Sequence, residues 1–238
     1  MNHSHSNHRC VKMSDYFPFP FNTSCRNIII AGSSFSGKTH ILKQIILDHK
    51  DMFETDIKSI MYCYSAYQEA YYTLEKELGP KISFINGLPT REQLMEAPRP
   101  MLLCLDDLQH VALNSPLIEQ VFTTLSHHEG VQPIFLTQNL FYNAKHARTL
   151  SLNAQAYIIT RHTRDIYQLK NLARSIFPNN HQVVLDAYRD AELSSSTGFF
   201  YITIDCSSQC PAQYRVRRNI LKCEPNPIVY LPKSGELM

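Results

Sequence analysis

Apolar positions along this chain switch between two periods. Short apolar runs read as strands: NIIIA at 27–31, IKSIMYCY at 57–64, KISFI at 81–85, PMLLCLDDL at 100–108, QPIFLT at 132–137 and AYIIT at 156–160. Between them, helical spacing returns. The segment from Thr39 to Lys50 sets Ile41, Leu42, Ile45, Ile46 and Leu47 on one face, and Gln68 to Leu78 reads as a helix closed by Gly79-Pro80. Thr90 is expected to cap a short helix through Met95, ended by Pro98 and Pro100. Further helices are expected over Pro116–Ser126, over Arg164–Ile176 before Pro178, and over Gln182–Ala191, with closing strands at Gly198–Asp205 and Tyr214–Ile220. Strand and helix in alternation predict an α/β fold with a mostly parallel sheet and helices on both faces.

The ends of the chain break this pattern. Pro18 and Pro20 forbid regular structure, while Phe17, Phe19 and Phe21 demand burial, so residues 1–24 read as an arm. It is expected to strap over its own domain or to dock on a neighbouring subunit. No Gly/Ser-rich linker or internal repeat divides residues 25–222, which read as one domain followed by a tail at 223–238.

Composition narrows the class. Hydrophobic residues make up 44% and charged residues 18%, ordinary for a globular chain of 238 residues. No apolar run reaches the ~18 residues needed to span a bilayer, and the polar, His-rich first ten residues do not read as a signal peptide. No membrane partner is expected. The net charge of +2 offers no bulk attraction to nucleic acid, so any DNA contact must come from a local patch or from several subunits together. Arg215, Arg217 and Arg218, with Lys222 close by, are the candidate patch, weighed against a merely solvated strand face. The seven cysteines are scattered, which fits a reducing compartment. Cys206, Cys210 and Cys223 match no standard zinc spacing, and His3, His5, His8 and Cys10 read as a terminus before they read as a metal site.

The chemistry concentrates where the first strand turns into the first helix. Gly32, Gly37, Lys38 and Thr39 occupy every fixed position of G-x-x-x-x-G-K-[ST], with Ser33, Ser34, Phe35 and Ser36 between them. Such a loop turns its N–H groups onto phosphate oxygens at a helix N-terminus. Lys38 is expected to reach the β- and γ-phosphates of ATP, and Thr39 to bring its hydroxyl to Mg²⁺. The run MLLCL then delivers Asp106 and Asp107 to the C-terminal end of a buried strand, the edge of an open α/β sheet where ligands bind. Asp106 is expected to hold Mg²⁺, and Asp107 to orient or deprotonate the attacking water. A second acid of this kind separates water-activating ATPases from P-loop kinases of small molecules. Gln138, at the tip of QPIFLT, can sense a γ-phosphate because an amide both donates and accepts.

Further blocks follow in a fixed order: SHHEGVQPIFLTQNLF, RTLSLNAQAYIIT, Arg164-Asp165, LAR at 172–174, AYRDA at 187–191, and an apolar strand ending in Asp205. Together with GSSFSGKT and LLCLDDL they resemble the genome-packaging ATPases of the FtsK/HerA superfamily, above all those of Polinton/Maverick elements and adintovirus-like DNA viruses, relatives of the poxvirus packaging ATPase. The likeness spans residues 25 to 220, and TQNLF followed by R-x-x-S-L-N is its most specific part. It implies a RecA-like P-loop NTPase of the ASCE division. Such a protein works as a homo-oligomeric ring that hydrolyses ATP with Mg²⁺ and drives double-stranded DNA into a preformed capsid at a capsid or portal vertex. It also implies an intracellular protein of an infected host cell, nuclear in preference to cytoplasmic, with virion association a further expectation.

Two positions depart from the family pattern. The second acid is Asp107 where Glu is common, and Glu129 follows the two histidines where an arginine often stands. An arginine finger supplied to the neighbouring subunit is therefore expected later, at Arg148 first, with Arg164 and Arg161 behind it. Another P-loop translocase or helicase, a P-loop kinase and a non-enzymatic scaffold are the competing readings. A kinase lacks the second acid, and a scaffold should lack Lys38 or the acids.

Overall fold

The computed structural model describes residues 8–10, 20–21, 27–162, 166–208, 210–211 and 214–231. Its strands are β1 (His8–Cys10), β2 (Ile28–Ala31), β3 (Ser59–Tyr64), β4 (Ile82–Asn86), β5 (Met101–Asp106), β6 (Val131–Thr137), β7 (Ala156–Thr160), β8 (Tyr201–Asp205), β9 (Val216–Arg218) and β10 (Ile228–Tyr230). They form one ten-stranded sheet in the order β1-β10-β9-β8-β7-β2-β6-β5-β3-β4. From β7 to β4 the strands run parallel; β8, β9, β10 and β1 each pair antiparallel. The phosphate-loop strand β2 and the acid-bearing strand β5 are separated by β6, the arrangement of a RecA-like P-loop NTPase of the ASCE division.

Every residue of β2 is buried, because helices cover both faces of the sheet. Alternation along the strand sends Ile28 and Ile30 to one core with Ile41, Leu42, Ile45 and Ile46 of α1 (Lys38–Leu47), and Ile29 and Ala31 to the other. The short α2 (His49–Met52) and α3 (Ala70–Leu78) lie on the α1 side. On the opposite face lie α4 (Arg91–Glu96), α5 (Gln109–Ala112), α6 (Pro116–Gln120), α7 (Ser126–His128), α8 (Ala147–Asn153), α9 (Ile166–Ile176) and α10 (Gln182–Ser194). Thr90 caps α4 as expected: its side chain accepts from the Gln93 N–H, and the Gln93 amide accepts from the Thr90 N–H.

Several expectations shift. The helix read over Pro116–Ser126 is present and runs on to His128, with a π-helical turn inside it at Val121–Leu125. There the carbonyl of Phe122 accepts from the side chains of Asn27 and Ser126. The helix α8 carries no expectation of its own. Neither does β10, which prolongs the sheet beyond β9 and pairs in turn with β1. At the other end, Phe21 stacks on Phe53 and exchanges backbone hydrogen bonds with Met52 and Glu54, and Pro20 is buried beside it.

This wider sheet overturns the basic patch. β9 lies between β8 and β10, with Val216 in the core that holds α10 and Arg217 on the side of Pro20. Arg217 is 1% exposed and donates to Asp205 at 3.1 Å and to the carbonyl of Pro20 at 3.3 Å. Arg218 pairs with Asp190 at 3.4 Å, Lys222 with Asp51 at 2.7 Å, and Arg215 donates to the carbonyl of Cys210. These four cations are divided among separate partners and present no common surface. Among the described residues, no three His, Cys, Asp or Glu side chains converge as a zinc site would require. No described helix is long and apolar enough to cross a membrane.

Candidate active site

The loop between β2 and α1 is shaped by close packing. A Cβ on Gly32 would fall 1.8 Å from Thr160 Oγ1, so only glycine lets β2 and β7 approach there. Thr160 Oγ1 instead meets Ser36 Oγ at 2.6 Å, tying the loop to β7, and the Ser33 N–H donates to the Arg161 carbonyl at 3.0 Å. Gly37 takes φ 92, a left-handed conformation, just before α1 begins. Phe35 stands fully exposed at the tip.

The loop borders a cleft of about 600 Å³ that also contains Asp106, Asp107, Gln109 and Gln138. The β2, β6, β5 order brings these residues together from distant parts of the chain. Lys38 Nζ donates to the carbonyls of Gly32 and Ser33 at 2.9 and 2.8 Å, and burial lowers its pKa from the usual lysine value. Thr39 Oγ1 lies 3.2 and 3.4 Å from the two Asp106 oxygens. Asp106 is 4% exposed, and burial pushes its carboxyl pKa upward. Its hydrogen-bond donors are all neutral hydroxyls: Thr39, Tyr62 at 2.7 Å and Tyr71 at 3.4 Å. A buried carboxylate satisfied by hydroxyls alone, next to the loop threonine, fits a divalent cation. Thr39 and Asp106 are the residues that would hold Mg²⁺.

Asp107 is exposed with φ 55, and its carboxylate accepts from Ser65 Oγ at 2.8 Å. Aspartate is among the few residues that tolerate this left-handed conformation, which turns the chain sharply after β5. Gln138 is exposed at the end of β6. Its N–H donates to Gln109 Oε1 at 2.8 Å, and the same oxygen accepts from Thr137 Oγ1 at 2.8 Å.

Sequence reasoning missed Tyr62, Tyr71, Ser65 and Gln109. The signal present was the density of tyrosine between residues 62 and 72; which of them meets Asp106 follows only from β3 lying beside β5. Of the arginine candidates, Arg148 is exposed in the first turn of α8, while Arg161 sits beside its own loop through the Ser33 bond. Arg164 lies outside the described residues. Glu129 is occupied with Arg99 at 3.5 Å.

No protein-family model matches the chain, and no curated protein matches its sequence. Solved structures do resemble it. The crystal structure of B204, the DNA-packaging ATPase of Sulfolobus turreted icosahedral virus, superposes with a TM-score of 0.52 at 16% identity, over 79% of this chain and 96% of that one. The genome-packaging NTPase B204 of Sulfolobus turreted icosahedral virus 2 in complex with ATP-gammaS gives 0.50 at 15% identity, over 79% and 95%. The same NTPase in complex with AMPPCP gives 0.50 at 17%, over 78% and 94%. At this identity the likeness establishes the fold.

Proposed function

We propose that this chain is the ATPase of a double-stranded DNA packaging motor, acting as a homo-oligomeric ring that moves a viral genome into a preformed capsid. The observation that carries the reading is the convergence of Lys38, Thr39, Asp106, Asp107 and Gln138 on one cleft beside a phosphate loop. Viral packaging NTPases from Sulfolobus viruses share the fold, which supports the motor over other P-loop classes. The second acid argues against a small-molecule kinase.

In this reading the loop N–H groups and Lys38 bind the triphosphate. Thr39 and Asp106 hold Mg²⁺, which supplies charge neutralisation at the phosphate oxygens. Asp107, exposed and fixed by Ser65, orients the attacking water and takes its proton. Gln138, anchored through its backbone to Gln109, places its amide where a terminal phosphate can be sensed. Arg148 is the cation offered to a neighbouring subunit's phosphate. The DNA-contacting surface lies elsewhere than Arg217.

The test is ATPase activity of the purified full chain with and without DNA. Double-stranded DNA should stimulate hydrolysis, and the stimulation should fall steeply as salt rises. Stimulation by single strands alone would redirect the reading to a helicase.

A further inference from the structure

A triphosphate lying along the loop has two ends, and the sheet order distinguishes them. Asp106, Asp107 and Gln138 lie at the C-terminal ends of β5 and β6, on one side of β2, and mark the terminal phosphate. The other side of β2 is built from β7 and β8. The chain enters β8 through Gly198, Phe199 and Phe200. The Phe199 ring lies so close over Gly37 that a Cβ there would fall 2.0 Å from it. His40, exposed on α1, meets the same ring edge-on at 5.5 Å. Ser195 Oγ donates to the Phe199 carbonyl at 2.7 Å and fixes the turn that carries the ring.

A second cavity, of about 110 Å³, adjoins Phe199 and is distinct from the phosphate cleft. Its wall is aromatic at Phe199, Phe200 and Tyr201, and polar at Arg218, Asn219 and Glu224. Arg218 lines it with its guanidinium paired to Asp190 at 3.4 Å. A half-buried aromatic ring beside a polar-edged cavity matches a flat heterocycle with polar atoms on its rim.

We infer that Phe199 and His40 form the nucleoside end of the site: the nucleobase stacks on Phe199, and its polar rim reaches into the cavity bounded by Arg218 and Asn219. This rests on the reading of residues 32–39 as a nucleotide site. It makes Phe199 a specificity-determining residue, since inorganic triphosphate has the phosphates but nothing to stack.

The chain contains no tryptophan, so Phe199→Trp installs a single reporter at the inferred contact. Its fluorescence should change on adding Mg-ATP or Mg-ADP and stay constant with Mg-tripolyphosphate. Calorimetry on Phe199→Ala provides the second arm: ATP affinity should fall about tenfold, the size expected for one lost stacking contact, with tripolyphosphate affinity unchanged. Equal fluorescence responses to both ligands, or an unchanged ATP affinity in Phe199→Ala, overturns the inference and leaves the nucleotide reading standing. If the wild-type chain binds neither ligand by calorimetry, the nucleotide reading itself fails, and the base contact falls with it.

Discussion

Asp106 and Asp205 lie in different wings of the sheet and are solvated to nearly the same degree, 4% and 2% exposed. Asp205 ends β8 in the antiparallel wing, where Arg217 of the adjacent β9 supplies a permanent cation at 3.1 Å. Asp106 ends β5 in the parallel wing, where Tyr62, Tyr71 and Thr39 supply only hydroxyls. Burying a carboxylate is costly in both places. In one wing the chain answers the charge itself and the pair is structural. In the other the charge is stabilised only in part, and a cation from solution would complete it. The difference shows that burial alone does not mark a functional acid; the identity of its partners does.

Removing the cation beside Asp205 and the charge of Asp106 itself should separate the two sites most sharply. Arg217→Met leaves Asp205 buried without its cation and should destabilise the fold by about 3–5 kcal/mol. Asp106→Asn, which removes a buried charge with no cation in direct hydrogen-bond contact, should leave the metal-free protein as stable as wild type or more so, within about 1 kcal/mol. Urea denaturation in chelator measures both. A loss for Asp106→Asn equal to that of Arg217→Met would make the two sites equivalent and the comparison empty.

The next largest effect separates Asp106 from its exposed neighbour. Asp107→Asn keeps the size of the side chain and its acceptor for Ser65 but cannot take a proton. Hydrolysis should fall by about 10²-fold or more while ATP binding by calorimetry is retained. Lys38→Ala should instead abolish tight binding. Wild-type turnover in Asp107→Asn would remove Asp107 from the mechanism.

A smaller effect is expected one layer out. Tyr62→Phe deletes the 2.7 Å donor to Asp106 and keeps the ring. Loss of such an outer partner should weaken Mg²⁺ affinity about tenfold. Manganese binding followed by electron paramagnetic resonance in the presence of ADP reads this without turnover. Unchanged affinity would mean that Tyr71 and Thr39 suffice.

The smallest expected effect is the pH dependence. Burial raises the Asp106 pKa above the ordinary aspartate value. Its contribution to the stability of the metal-free fold is therefore fully present below that ordinary value, about 3.9, and is lost as pH rises through the elevated folded-state pKa. The unfolding free energy of Asp106→Asn relative to wild type, measured in chelator, should shift in the variant's favour over that rise. A difference that stays flat with pH would contradict the shift.

Much of this site could be read from residue order, because the loop and the acid pair are local patterns. Lys38 and Thr39 are placed by a turn of eight residues, and Asp106 by an apolar run that can only be a buried strand. The aromatic partners of Asp106 are a matter of strand neighbourhood. Tyr62 and Tyr64 point to the same face of β3, both against Tyr71, and nothing along the chain states that β5 lies beside it. The misread arginines have the same origin. Ile228–Tyr230 is only three residues long and lies among Pro and polar residues, so it carried no strand signal. Without β10, β9 looked like an edge strand, and Arg217 looked like a surface cation. The helix bearing Arg148 is seven residues long, too short for its periodicity to register.

Lys38 gives the phosphate loop a competitor of its own. Its ammonium is held by the carbonyls of Gly32 and Ser33, two residues of the loop that it is meant to serve. An anion entering the loop thus takes part in an exchange: two carbonyl acceptors are given up as phosphate oxygens replace them. Measured affinity is then a difference between two rival acceptors for one cation, and backbone changes that disturb those carbonyls would alter how readily the lysine changes hands.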